Sequence, residues 1–308
     1  MTTREIIIIL LLFLLSINIS LFSSVSVPKY VFAFYYPWYG PGIHWPEGRT
    51  DTPILGEYDS WDPKIIEQHL IWAEKAGIDV FICSWWGRSD YTDEAFSIVL
   101  AQIEKLDSKV KICPYIEQVN GDDSAVEEIE YILKNYGYSK AFFKLENKPV
   151  IFVYSRAMKQ ANWQAVKNRI KGEIILIADG KTNSNAFEGI HEYNPARLVD
   201  ANNLSMIKAY YEGLVSFCRV NNKICALTVI PGYDDSHIRR PKPLIVDRMG
   251  TKLYSTLWKY AINSNPNWII ITSFNEWHEG SEIEPSEEYG DTYINLTKEY
   301  SLKFKETK

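Results

Sequence analysis

The 308-residue chain is poor in the residues that build metal centres and disulfide frameworks. It has 4 Cys and 5 His, with no Cys-x-x-Cys pair and no Cys/His cluster, which excludes a structural zinc module and a disulfide-dense scaffold. Cys83 and Cys113 sit inside apolar runs and read as small core residues. Cys218 and Cys225 are seven positions apart, a spacing compatible with a bridge. Its 16 Gly and 14 Pro form no repeat, low-complexity tract or linker, so a collagen-like chain is excluded. Basic residues are outnumbered, 33 Lys+Arg against 39 Asp+Glu, for a formal net charge of −6. That sign argues against nucleic acid as the main partner, because backbone phosphates recruit basic surfaces.

Aromatic residues, in contrast, are abundant. There are 10 Trp, 20 Tyr and 13 Phe, or 14% of the chain. With 46% hydrophobic and 23% charged residues, the composition is that of a folded globular protein. A core absorbs some of the rings, but exposed Trp and Tyr faces also line sugar-binding clefts.

The amino terminus reads as a separate segment. Met1 to Glu5 is short and polar, and Ile6 to Leu15 is an unbroken run of ten apolar residues, the length of a signal-peptide core. Extending the run to Phe22 gives seventeen residues, the short limit for spanning a bilayer. Ser24-Val25-Ser26 places small residues where a signal peptidase cuts. Residues 1–26 are expected to be a signal peptide or membrane anchor. Residues 27–308 then form one domain, secreted or held at the membrane on the extracytoplasmic side. Asn203-Leu204-Ser205 and Asn295-Leu296-Thr297 are glycosylation sequons, meaningful only in a host that glycosylates Asn.

From Lys29 onward, β-rich apolar runs alternate with amphipathic stretches. The pattern predicts strands over Tyr30–Tyr36, Ile78–Trp85, Lys109–Ile116, Pro149–Tyr154, Glu173–Ala178, Gly189–Tyr193, Lys223–Ile230 and Trp268–Phe274. It predicts helices over Pro63–Ala76, Thr92–Leu106, Ser124–Asn135, Trp163–Ile170, Leu204–Val220, Val246–Ile262 and Thr292–Phe304, with little helix before Gly189. Alternation of this kind implies βαβ units and a parallel sheet. Eight strands at this length fit an α/β fold made of a single (β/α)8 TIM barrel. An open doubly wound sheet would carry a Gly-rich phosphate turn after its first strand. The chain has Tyr35-Tyr36-Pro37-Trp38-Tyr39-Gly40 there instead.

In such a barrel the active site lies at the carboxyl ends of the strands. Strand one runs into Tyr36, Trp38 and a loop with His44-Trp45. Strand two ends at Trp85-Trp86, strand three at Tyr115 and Glu117, strand four at Tyr154, and strand six at His191-Glu192-Tyr193. Strand seven leads to Tyr233-Asp234-Asp235 and Arg239, and strand eight to Asn275-Glu276-Trp277-His278-Glu279. The last cluster follows the apolar run Trp268–Thr272, so at least one carboxylate starts in a water-poor mouth, where burial raises its pKa. An aromatic pocket with two carboxylates is the usual equipment for cleaving a glycosidic bond. Barrel metallohydrolases carry a His-x-His after strand one. That motif is absent, so His278 reads as an orienting residue rather than a metal ligand.

Ile271-Thr272-Ser273-Phe274-Asn275-Glu276-Trp277-His278-Glu279-Gly280 strongly resembles the signature of glycoside hydrolase family 99, the endo-α-1,2-mannosidase and endomannanase family. Phe34–Tyr39, Ile43-His44-Trp45, Tyr58-Asp59-Ser60-Trp61-Asp62-Pro63, Ser84-Trp85-Trp86-Gly87 and Pro231–Asp235 with Ile238-Arg239 resemble further segments of it, in order. The resemblance implies a retaining hydrolase of α-mannosides that acts within chains and needs no metal or other cofactor. In it, Glu276 is the base that deprotonates the sugar's own 2-hydroxyl, and Glu279 protonates the leaving oxygen. Glu117, Tyr233 and Arg239 would line the reacting-sugar subsite, and Trp86 would face the neighbouring sugar. Tyr36, His44, Trp45, Asp59, Tyr154, Tyr193, Asn275 and His278 complete the expected substrate contacts. Two segments depart from the family pattern: Tyr115-Ile116-Glu117-Gln118-Val119 replaces His-Ile-Glu-Pro-Tyr, and Ser281-Glu282-Ile283-Glu284 replaces Thr-Gln-Ile-Glu. Both are expected near the sugar. Two other functions fit the same pocket, a related barrel glycosidase acting on another exported polysaccharide and a silent carbohydrate-binding protein.

Overall fold

The computed structural model describes residues 27–199, 203–238 and 241–307, and the expected leader lies outside them. Eight parallel strands run in order: β1 Tyr30–Tyr35, β2 Val80–Trp85, β3 Lys111–Ile116, β4 Lys148–Val153, β5 Ile175–Asp179, β6 Gly189–His191, β7 Ile224–Val229 and β8 Trp268–Ile271. Each pairs with the next, and β8 returns to β1 through Tyr30↔Trp268 to Ala33↔Ile271, so the sheet closes. Around it lie α1 Pro63–Ala76, α2 Tyr91–Leu106, α3 Gly121–Asn135, α4 Ser155–Gln160, α5 Trp163–Arg169, α6 Ser205–Val220, α7 Lys252–Ser264 and α8 Thr292–Lys305. The expected TIM barrel is the fold found.

Local chemistry explains the helix ends. Asp62 caps α1 by accepting from Lys64 N at 2.8 Å, with Pro63 in the first turn, where its missing N–H costs nothing. Gly77 ends the same helix at φ 74°, and a Cβ there would lie 2.3 Å from Ser301 Oγ of α8. Asp90 caps α2 through Thr92 N at 2.8 Å. Between β5 and β6 no helix forms among the described residues, as the weak pattern there anticipates.

Two details differ from the sequence expectation, and a third concerns a pairing that the spacing left open. The helix expected to start at Val246 begins at Lys252, because Ile245–Val246 pairs antiparallel with Tyr233–Asp234. The β-branched pair follows Pro241 and Pro243, which keep the segment extended. Ser155–Gln160 is a short helix whose one buried residue, Ala157, gives almost no apolar periodicity. Cys218 and Cys225 are neighbouring buried free thiols, hydrogen-bonded to each other rather than bridged.

Strand alternation divides the core into two layers. Val31, Ala33 and Tyr35 face the helices, whereas Phe32 and Phe34 fill the barrel with Tyr115, Phe152 and Trp268. Both faces of every strand are covered, which is why the strands read as continuous apolar runs. The filling changes along the axis. Phe32 packs on Trp268 at 4.8 Å and Phe152 at 5.7 Å. One layer up, Phe34 meets Tyr115 at 4.9 Å and Tyr193 at 5.0 Å. The interior thus passes from phenyl to phenol, and the next layer holds carboxylates.

Candidate active site

Above that phenolic layer the carboxyl ends of the strands enclose a cleft of about 320 Å³. Its carboxylates are Glu47, Glu117, Glu276 and Glu279. Its aromatic walls are Tyr36, Trp38, Trp86, Tyr115, Tyr154 and Tyr193, with His44 and His278 at one side and Arg156 at another.

The loop after β8 sets the two central carboxylates. Trp277–Glu279 is a single 3-10 turn, and Glu276 caps it by accepting from His278 N at 3.2 Å. The same Oε1 lies 3.3 Å from His278 Nδ1. His278 Nε2 is 2.9 Å from the carbonyl oxygen of His44. A carbonyl only accepts, so Nε2 carries a proton and Nδ1 points its other valence at Glu276. One further proton is therefore shared between His278 Nδ1 and Glu276. Among the described residues Glu276 Oε2 is buried with no hydrogen-bond partner. Tyr193 Oη donates to Glu279 Oε2 at 2.7 Å.

Burial dominates the electrostatics. Glu276 is pushed up to about 7 by loss of water, a rise opposed by the His278 hydrogen bond and reinforced by the charge of Glu279. Glu117 is also pushed up to about 7 by burial, against the Ser84 hydrogen bond (Oγ to Oε1, 2.8 Å) and the charge of Arg156. Burial pulls His278 down, but its hydrogen bond to Glu276 and that carboxylate's charge outweigh it and leave His278 raised. A carboxylate near 7 takes up and releases protons readily at neutral pH, which general acid–base work needs.

A second network sits beneath the cleft. Asn275 Oδ1 accepts from Tyr36 N at 2.8 Å, and its Nδ2 donates to Tyr36 O at 3.0 Å and to Tyr58 Oη at 3.2 Å. Tyr58 donates to Glu284 at 2.8 Å, and Glu284 also meets His69 Nε2 at 3.1 Å and Trp277 Nε1 at 3.2 Å. This buried lattice ties the β8 loop to β1 and α1.

Of the expected sugar contacts, Tyr36, His44, Trp86, Glu117, Tyr154, Tyr193 and His278 line the cleft together with Glu276 and Glu279. Four do not line it. Asn275 is fully buried as the clamp just described. Trp45 stacks on Tyr39 at 4.2 Å and donates to Tyr58 O, serving as a wall behind the loop. Asp59 accepts from Tyr91 Oη at 2.9 Å, fixing the loop before α1. Tyr233 is buried beside Tyr193. Arg239 lies outside the described residues. Glu282 was expected near the sugar, but it is buried in an ion pair with Arg248, whose guanidinium lies between Tyr289 (4.5 Å) and Tyr293 (4.7 Å).

Sequence reasoning missed Glu47 and Arg156. Arg156 Nε donates to the Glu117 carbonyl at 3.1 Å and Nη2 to Glu117 Oε2 at 3.4 Å. Its guanidinium lies 4.6 Å over the Trp86 ring. Its position two residues past Tyr154, at a strand's carboxyl end, was the available signal. His44, Glu47 and His278 bring their ligand atoms within 4.8 Å of one another, but His278 is already engaged by Glu276 and the His44 carbonyl.

A closed parallel barrel with paired carboxylates in an aromatic mouth is the equipment of a glycoside hydrolase. The sequence profile described as "Glycosyl hydrolase family 99" matches residues 48–294, so the chain belongs to that family. It is 28% identical to the rat protein "Glycoprotein endo-alpha-1,2-mannosidase" over 83% of this chain and 67% of the relative. It is 27% identical to the human "Glycoprotein endo-alpha-1,2-mannosidase-like protein" over 85% of this chain and 69% of the relative. The solved GH99 endo-alpha-mannosidase from Bacteroides thetaiotaomicron superposes with a TM-score of 0.78 at 28% identity, over 89% of this chain and 97% of that one. The chain is thus an enzyme of the endo-alpha-mannosidase family, acting on a glycan.

Proposed function

We propose that the protein is a retaining endo-acting hydrolase of α-mannosides that uses the substrate's own 2-hydroxyl as nucleophile. The observation that carries this reading is the division of Glu276: Oε1 is held by His278, while Oε2 is buried, unpaired and in the cleft wall. In the first step Oε2 takes the 2-hydroxyl proton, O2 attacks C1, and the C1–leaving-group bond breaks as Glu279 gives its proton to the departing oxygen. The product is a 1,2-anhydro sugar. In the second step Glu279 takes a proton from water, the water oxygen attacks C1, the C1–O2 bond opens, and O2 recovers its proton from Glu276. Two inversions at C1 give net retention.

Stereochemistry supports the substrate assignment. In an α-mannoside O2 and the leaving group are trans-diaxial, so backside attack is open. In an α-glucoside O2 is equatorial and that alignment is lost. Each positioned proton transfer is worth roughly 10²–10⁴-fold.

An α-mannosyl fluoride extended at its non-reducing side tests the roles separately. Fluoride leaves without protonation, so Glu279→Gln should keep substantial fluoride release while losing cleavage of an oligosaccharide. Glu276→Gln should lose both. Equal loss of both substrates in the two variants would contradict the assignment. One observation favours a variation in the glycan beyond the reacting sugar: Arg156 occupies the space 4.6 Å over Trp86, so the neighbouring unit meets a guanidinium there.

A further inference from the structure

The end of the barrel opposite the cleft carries a constellation that the hydrolytic site does not use. Lys109, Lys111, Lys140 and Lys144 line a hollow of about 360 Å³ whose walls include Tyr30 and Phe143. Among the described residues none of the four lysines forms an ion pair. The carboxylate in the lining, Asp79, is held by Lys305 Nζ at 2.7 Å and by Val31 N at 2.8 Å. Glu104 is likewise engaged, by Ser139 Oγ at 2.6 Å and Lys140 N at 3.1 Å. In a chain of net charge −6, the lining of this hollow sets four lysines against one carboxylate, Asp79.

Apolar exposure marks the same end. Tyr138 is 89% exposed and Val220, the last residue of α6, is 81% exposed; they are the two most exposed large hydrophobic residues among those described. Tyr138 stands beside Lys111 and Lys140 in the groove adjoining the hollow. No packing within the domain accounts for a tyrosine this far into solvent. Tyrosine beside lysine is the pairing that settles at the headgroup level of a bilayer.

The chain also enters the barrel here. Val27, the first described residue, packs beside Leu145 and Lys148, and Lys29 donates to Asn265 Oδ1 and Pro266 O at 2.5 Å each. The twenty-six preceding residues contain the apolar run Ile6–Phe22. A leader kept as an anchor would hold this end, and not the cleft, against the bilayer.

We propose that this end of the barrel is a second membrane contact, docking on anionic phospholipid with lipid phosphates in the four-lysine hollow and Tyr138 among the headgroups. The cleft then faces away from the lipid. Basic groups near an anionic leaflet are attracted within a Debye length, about 8 Å at physiological salt, so the contact weakens as salt rises. The inference rests on the leader staying attached and is independent of the hydrolytic mechanism.

The test uses the full chain in nanodiscs of phosphatidylcholine, alone or mixed with phosphatidylglycerol, and reads lysine acetylation by mass spectrometry. Lys109, Lys111, Lys140 and Lys144 should label about five-fold more slowly in the anionic discs, the factor one lysine near an anionic leaflet is worth. Lys208 and Lys242, remote from this end, should not change. Adding Lys109→Glu, Lys140→Glu and Tyr138→Ser together should return Lys111 and Lys144 to the rate in neutral discs, with glycan cleavage unaffected. Equal labelling in neutral and anionic discs would overturn the proposal. So would equal protection by free glycerol phosphate in detergent, which would make the hollow a small-anion site.

Discussion

His278 joins two loops to one carboxylate: its Nε2 donates to His44 O at 2.9 Å, and its Nδ1 lies 3.3 Å from Glu276 Oε1. The carbonyl fixes the tautomer, so the imidazole hands Glu276 either a shared proton or a positive charge. Both keep Oε1 occupied and leave Oε2 to the substrate. His278 lowers the Glu276 pKa against the effect of burial. In His278→Ala the Glu276 pKa should therefore rise above its present value of about 7. The acid limb of the kcat profile should move to higher pH, with kcat down roughly 10- to 100-fold at neutral pH. A pH–rate profile of the variant checks this; an unmoved limb would remove His278 from the account.

Arg156 acts on Glu117 in the same sense, because its charge lowers a pKa that burial has raised to about 7. Arg156→Ala should raise it further and weaken the grip on the sugar beyond the reacting one. The expected kinetic signature is a KM increase on extended donors of about ten-fold, with kcat changed much less. The shortest fluoride donor should show little KM change. Arg156→Lys should recover the Glu117 pKa but not the KM, because lysine lacks the planar fork.

The folded pKa values of Glu276 and Glu117 lie near 7, above the ordinary carboxylate value of 4.5. Below about pH 4.5 both groups are neutral folded and unfolded, and they cost nothing. Between 4.5 and 7 the unfolded chain loses its protons first, so stability falls as pH rises through that window. The two together are worth on the order of a few kcal/mol by pH 8. Calorimetric Tm should decline from pH 5.5 to 8, and a Glu117→Gln, Glu276→Gln double variant should flatten the decline. A wild-type Tm that rises through this window would contradict the burial argument.

Arg248 and Glu282 are a buried pair, with Glu282 pushed well up by burial and the Arg248 charge opposing it. Arg248→Met alone strands two buried carboxyl groups, Glu282 and Asp51, and should cost roughly 3–5 kcal/mol. Arg248→Met with Glu282→Leu and Asp51→Asn together should recover much of that loss. Denaturant midpoints of the two variants give the comparison.

Much of this was legible because strands buried on both faces announce themselves. Val80–Cys83 and Trp268–Ile271 are apolar without interruption, and the alternation with capped helices such as Asp62-Pro63 leaves few folds. The candidate carboxylates were legible because Glu276 and Glu279 directly follow an apolar strand, and both lie in the lining of the cleft. Depth was harder to read. Asn275, Trp45 and Glu282 are the same residue types as true cleft residues, and only the closing of the barrel decides that they point behind the site. Arg156 escaped because its helix, Ser155–Gln160, buries a single residue and leaves no periodicity to mark it.

The central claim is that Glu276 and Glu279 drive hydrolysis with retention through the substrate's own 2-hydroxyl. The most direct measurement is time-resolved proton NMR of cleavage of an α-1,2-linked manno-oligosaccharide, alongside its 2-O-methyl counterpart. The account predicts that the α-anomer appears first, that the 2-O-methyl sugar is not cleaved, and that Glu276→Gln abolishes the signal. Initial release of the β-anomer, or cleavage of the 2-O-methyl sugar at a comparable rate, would contradict it.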